Sequence, residues 1–308
     1  MLATALDALD AQTIDDFEVI VVDDGSTDGS GELAAARTVH GRPVRVLDGR
    51  GHGAVAARMA GVDAARGDVL AFTDSDCVPS PRWLELGVAA IDGGAALVNG
   101  RTIPARPPLP LERSMGSGLE GLYPTCNVLY RRADFDRAGR FDGQAARRWG
   151  FRPDRRSQGD GFGEDTLLAW RVIRSGGTAT YVPEAVVEHA VFPPDGRDML
   201  SRTARVAAFP AMVKEIPELR QTLLRWGWQL GERTRVPTYL TLVALLTRRP
   251  ALIGGCLAWW AAVRLGELRR FPIPWRRRLQ VLPAEMGLDV LTAGALVVGS
   301  VRARSVTL

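Results

Sequence analysis

Leu2, Leu6 and Leu9 recur at helical spacing, "TIDD" closes that short helix, and the continuous apolar run Val19 to Val22 predicts a first strand. The alternation then repeats. "ELAAARTV" predicts a helix, "RPVRVLD" a second strand, residues 54–65 a helix, and "VLAFTD" a third strand. After "PSPRWLELGVAAI" come "AALVNGRTI", a Pro-rich loop "PARPPLPLE", and "TCNVLYRRADFDRAGRFD". Residues 143–163, rich in Arg, Gly and Asp with little periodicity, read as a mobile active-site loop. A helix over 164–175 ends in the stop signal "SGG", and "ATYVP" and "AVVEHAV" predict two short strands. Strands apolar along their length, alternating with helices, imply an α/β fold with a mostly parallel sheet covered on both faces.

From about residue 197 the pattern changes. "PTYLTLVALL", "PALIGGCLAWWAAV" and "GLDVLTAGALVVGSV" are apolar, two of them flanked by "TRR", "ELRRF" and "PWRRRL". Each run is about 10 to 15 residues, short of the roughly 20 that cross a bilayer as one helix. Helices lying in the membrane interface, or a re-entrant hairpin, are therefore expected for 197–308, after a catalytic domain over 1–196.

Charge sharpens this division. Net charge is only +4, yet residues 1–196 hold 21 Arg against 28 carboxylates, and residues 197–308 hold 18 Lys and Arg against 7. The basic charges of the second part are interrupted by Leu, Val, Ala and Trp, which suits an anionic membrane surface and not nucleic acid. Cys77, Cys126 and Cys256 are odd in number and outside metal spacing, as expected of reduced, packed thiols. The N-terminus shows no basic segment followed by an apolar core, so no secretory signal is read there.

Candidate chemistry gathers at strand ends. "FTDSDC" places Asp74 and Asp76 at the carboxyl edge of a strand, where such sheets bind ligands. Two carboxylates there suit Mg or Mn, hard ions that take oxygen ligands and bridge to phosphate; the bland alternative is a helix-capping turn. Glu164 and Asp165 open a helix after a Gly-rich stretch, where the dipole favours acids in any case, but a carboxylate beside a mobile segment can also take a proton from an incoming hydroxyl. His189 would complete a metal site otherwise made of oxygens. A rival is the dinucleotide fingerprint that Gly51, Gly53 and Ala56 loosely satisfy, with Asp74 as the ribose acid; it leaves Asp23, Asp76 and Asp165 without a role.

Together these motifs resemble the family 2 glycosyltransferases of the GT-A fold, in order, across about residues 5–192: "LDALDAQTIDDFEVIVVDDGSTDGS", "AARMAGVDAARGDVLAFTDSDCVPSPRWLE", "TCNVLYRRADFDRAGRFD", "GEDTLLAWRVIRSGG" and "YVPEAVVEHAV". The resemblance implies inverting, metal-assisted transfer of a sugar from a nucleotide-diphosphate donor to a hydroxyl on a glycan, polysaccharide or lipid-linked acceptor. It places the nucleoside on Asp23 or Asp24, Arg58 near the nucleotide, Asp74 at the ribose, Asp76 at the metal with His189, and Asp165 as general base beside Glu164. With the basic, Trp-bearing tail, the expected setting is the cytoplasmic face of the cell membrane.

Three departures qualify the match. Met59 and Ala60 follow Arg58 where the family usually has Asn and a basic residue. The Q-x-x-R-W motif of processive synthases is missing, which favours single transfers. The apolar first strand that normally precedes "VIVVDD" is also missing, so a central member of the sheet is expected to be lacking; a non-catalytic sugar-nucleotide-binding scaffold is the alternative this motivates.

Overall fold

The expected first helix forms as α1, Leu2–Asp10, burying Ala5, Leu6 and Leu9. The computed structural model describes residues 1–118, 120–151 and 161–308, and the chain divides into two units, Met1–Arg106 with Ser114–Val191, and Pro107–Arg113 with Phe192–Leu308. The first unit continues through β1 (Ile20–Asp23), α2 (Ser30–Ala35), a hairpin of β2 (Thr38–Val39) and β3 (Arg42–Pro43), β4 (Arg45–Asp48) and α3 (Ala54–Ala64). There follow β5 (Val69–Phe72), β6 (Cys77–Pro79), α4 (Trp83–Asp92), β7 (Leu97–Pro104), β8 (Val128–Arg131) and α5 (Arg132–Arg137). A single turn α6 (Ala145–Arg148), α7 (Glu164–Arg174) and β9 (Ala179–His189) complete it.

The α/β class is as expected, with a more mixed strand pairing. β1 and β4 run parallel, Asp23 opposite Asp48. The main sheet has the order β5-β8-β7-β9-β6, in which only β7 and β9 are parallel. The parallel reading assumed a helix between successive strands, whereas β6 and β8 enter against their neighbours. Among the described residues no strand hydrogen-bonds β1 to β5.

Both faces of the sheet are covered, and the period of two shows it. Val98 and Leu129 pack with Leu6, Trp83, Ile91 and Val187 on one side; Leu97, Val128 and Tyr130 pack with Val62, Phe135 and Leu168 on the other. Burial of this kind contributes roughly 1.5–3 kcal/mol per large side chain.

Two sequence expectations are corrected here. "ATYVP" and "AVVEHAV" are one strand, β9, because the register shift opposite Gly100 and Arg101 takes up Pro183, Glu184 and Ala185 as a bulge, and Pro183 has no N–H to give a ladder. At that bulge Asn127 donates to the Ala185 carbonyl at 3.1 Å, and a β-carbon on Gly100 would overlap both. The expected loop over 143–163 holds the turn α6, and its stretch 152–160 lies outside the described residues.

The second unit is helical. Asp195 caps α8 (Gly196–Arg205) by accepting from the Arg197 and Asp198 N–H groups; a short 3-10 turn, Val206–Ala208, leads to α9 (Phe209–Glu215) and α10 (Leu219–Thr222). Three longer helices follow: α11 (Arg235–Thr247), α12 (Pro250–Leu268) and α13 (Trp275–Ala303). The apolar runs expected to be 10 to 15 residues belong to helices of 19 and 29 residues in α12 and α13, long and apolar enough to cross a membrane. Arg248, Arg249, Arg269 and Arg270 do flank these helices, whereas Arg264, Glu267 and Arg276 to Arg278 lie inside them, as good helix formers should.

Candidate active site

α7 starts directly after Gly163, whose φ of +72° is a conformation that L side chains rarely adopt, and this turn sets Glu164 and Asp165 in the first helical turn. The helix is fastened from its far side: Thr166 Oγ1 donates to the Leu122 carbonyl at 2.6 Å and Trp170 Nε1 to the Gly121 carbonyl at 3.0 Å. Glu164 is buried and Asp165 half-buried.

Arg58 of α3 joins two of the sequence-predicted acids. Its Nη1 donates to Glu164 Oε1 at 3.0 Å, and its Nη2 lies 3.4 Å from Asp74 Oδ1. Burial opposes the charge on this guanidinium, but the surrounding Asp74, Glu164 and Asp165 outweigh it and hold Arg58 firmly cationic. Burial raises the Glu164 carboxyl above the ordinary range, offset in part by Arg58. Burial, followed by the negative charge of Glu164, pushes Asp165 up to about 7, against the pull of the Thr166 N–H and Arg58. A carboxylate at that value is matched to proton transfer near neutral pH.

Asp76 and His189 form the second group. β6 pairs antiparallel with β9 so that Cys77 lies opposite His189, and His189 Nε2 stands 3.7 Å from Asp76 Oδ2. Donor atoms of Asp76, Cys77 and His189 all fall within 4.8 Å of one another, as do those of Asp74, Cys77 and Cys126. A hydrogen bond with Cys126, burial, and the charges of Asp74 and Asp76 hold the Cys77 thiol far above the usual thiol range. The carboxylate oxygens and the imidazole of these groups are donors that Mg or Mn takes.

Asp23 and Asp24 stand apart from these groups. Asp23 Oδ1 accepts from the Ser26 N–H at 2.8 Å, which lowers its affinity for a proton, while its Oδ2 faces Gly31. Asp24 spends both oxygens on backbone, accepting from His52 N at 2.9 Å and Gly53 N at 2.8 Å. It thereby ties the end of β1 to the start of α3. The stretch behind the dinucleotide fingerprint is thus held by a carboxylate of the chain itself.

Residues 1–142 match the model of glycosyl transferase family 2. This stretch is a family 2 glycosyltransferase domain. The glycosyltransferase AglE of Haloferax volcanii is 40% identical over 99 residues, 31% of this chain and 33% of that protein. An undecaprenyl-phosphate 4-deoxy-4-formamido-L-arabinose transferase of Aeromonas hydrophila is 41% identical over 85 residues, 27% of this chain and 26% of that one. The chain thus spans a third or less of the length of these curated relatives.

Two solved glycosyltransferases share the fold at 16% identity. The mannosyltransferase PcManGT of Pyrobaculum calidifontis, in complex with GDP-Man and Mn2+, superposes with a TM-score of 0.51 over 98% of this chain and 83% of its own. S. aureus TarS 1-349, in complex with UDP-GlcNAc, does so at 0.50 over 99% and 88%. The architecture is therefore that of the GT-A glycosyltransferases.

Two contributors to the site escaped the sequence reading. Cys77 and Cys126 are 49 positions apart and signal nothing by spacing, yet their sulfurs meet beneath Asp74. The bridge from Arg58 to Glu164 was equally hidden, because "AR" and "GED" carry no mark of being partners.

Proposed function

We propose that the chain is a metal-assisted, inverting glycosyltransferase in which Asp165 is the general base. The observation that supports this most directly is the poise of Asp165 at about 7 beside a cation, Arg58, that also reaches the first acid of the Asp74 and Asp76 pair. Asp165 takes the proton of the acceptor hydroxyl as its oxygen bonds to the anomeric carbon. The bond from that carbon to the diphosphate oxygen breaks on the opposite face, and the nucleoside diphosphate leaves with the electron pair. Because one displacement suffices, configuration inverts and no enzyme nucleophile is needed.

Asp76 and His189 would hold the divalent ion, which when bound supplies positive charge to the departing diphosphate. Asp74, kept in place by Arg58, faces the ribose. Of the two acids at the end of β1, Asp23 is assigned to the nucleoside, since both oxygens of Asp24 are engaged. Glu164 sets the charge around the base on the acceptor side.

The acceptor is a hydroxyl on a glycan or lipid-linked glycan, and the domains are 1–196 for catalysis and 197–308 for association with the cytoplasmic face of the membrane. The helices α12 and α13 and the exposed Trp259 and Trp275 support the membrane assignment. Donors are tested by nucleoside-diphosphate release from a panel of nucleotide sugars with Mn. Asp76→Asn and Asp165→Asn should each abolish turnover while circular dichroism stays that of the parent; full turnover in both variants refutes the assignment.

A further inference from the structure

The helical unit carries an open cavity of about 450 Å3, within the size range of small-molecule sites. Its walls come from α8, α11, α12, α13 and the segment Pro107–Arg113, all parts of that one unit. Its chemistry is unlike that of the helices around it. Arg264 meets four carboxylates, Glu232 at 2.5 Å, Asp289 at 3.1 Å, Glu267 at 3.2 Å and Glu285 at 3.5 Å. Arg235 donates to the Asp289 backbone carbonyl at 3.2 Å.

Arg235 and Arg264 are each 6% exposed, and both line the cavity. Buried ion pairs of this extent are a poor source of stability compared with apolar packing, and ionisable groups on helices of membrane-crossing length mark functional sites.

The lining decides what class of ligand fits. It holds four arginines and five carboxylates, so an anion would meet the acids and a cation the arginines. A neutral molecule that both donates and accepts hydrogen bonds matches this mixture, and Phe271, Leu268 and Leu288 add apolar surface for a carbon face. We propose that this cavity is a binding site for the neutral, polyhydroxylated body of a saccharide. The inference rests in part on the reading of the chain as a glycosyltransferase, for which a saccharide acceptor is required.

Saturation-transfer NMR on the full chain in nanodiscs tests it, with the methyl glycosides of glucose, galactose, mannose and N-acetylglucosamine as probes and neither nucleotide nor metal present. At least one glycoside should receive saturation, and inorganic phosphate should not displace it. Glu285→Gln should weaken binding about tenfold, and Thr292→Val, which keeps the shape of a second lining residue, should weaken it independently of any folding defect in the first variant. Asp76→Asn should leave the signal unchanged. The inference is overturned by no saturation of any glycoside, by displacement with phosphate, by unchanged binding in both cavity variants, or by loss of the signal in Asp76→Asn. Turnover of nucleotide sugars without glycoside binding would overturn this inference alone, and glycoside binding without turnover would overturn the catalytic reading alone.

Discussion

Arg58 donates a 3.0 Å hydrogen bond to Glu164 across 106 residues of sequence, and because it also reaches Asp74 the two acids share one cation. Removing it in Arg58→Ala leaves a buried carboxylate without its partner. The expected loss is about 2–3 kcal/mol, below the 3–5 of a fully trapped charge, since Glu164 escapes by taking a proton. Urea denaturation at neutral pH measures it, and a midpoint equal to that of the parent would show that the pair is idle.

The pH dependence follows from Asp165. A base held at about 7 is inactive when protonated, so turnover should rise tenfold per pH unit below that value and level off above it. Glu164 raises Asp165 and Arg58 lowers it. Glu164→Gln should therefore move the acidic limb to lower pH, and Arg58→Ala should move it to higher pH. Shifts in the same direction, or none, would mean that another group sets the limb.

Metal dependence is testable without an assay of transfer. Manganese binding followed by electron paramagnetic resonance should weaken about tenfold or more in both Asp76→Asn and His189→Ala, since loss of even a group that orients a ligand costs 10–100-fold. Chelation should stop turnover and added Mn should restore it. Equal manganese affinity in parent and both variants argues for a site elsewhere.

Gly100 offers a test of the scaffold. A methyl group there would overlap the Ala185 carbonyl and the Asn127 side chain, neither of which can withdraw without breaking the bulge of β9. Gly100→Ala should cost about 1–3 kcal/mol or more, as overpacking does, read as a drop in melting temperature. A melting temperature within a degree of the parent would mean that the bulge relaxes freely.

Helices of 19 and 29 residues predict that the chain stays with membranes through an alkaline carbonate wash. An interface-bound helix would be stripped into the supernatant by the same treatment, which would restore the shorter-run reading.

Legibility varied with the range over which each signal acts. The first helix and the strands β1, β4 and β5 were readable because one apolar period fixes each, whereas "ELAAARTV" stops as a helix at Ala35 and gives Thr38–Val39 to a hairpin; Asp74, Asp76, Glu164 and Asp165 were readable because they sit at strand and helix ends. Long-range partners were not. The sequence offered Asp23 and Asp24 as equals, and only the backbone of His52 and Gly53 separates them. The poise of Asp165 comes from burial and from Glu164, and burial is a property of the assembled fold. The lengths of α12 and α13 were misjudged because charges were taken as ends, whereas Arg264, for one, lies inside its helix among carboxylates brought from elsewhere in the chain.

The clamp of Asp24 on His52 and Gly53 gives that residue an influence at a distance. It fixes where α3 begins, α3 carries Arg58, and Arg58 reaches Glu164 beside the proposed base, Asp165. A defect in Asp24→Asn would then look, in kinetics, like damage to a donor contact, while its origin lay in a helix displaced from its anchor and felt at the far wall of the site.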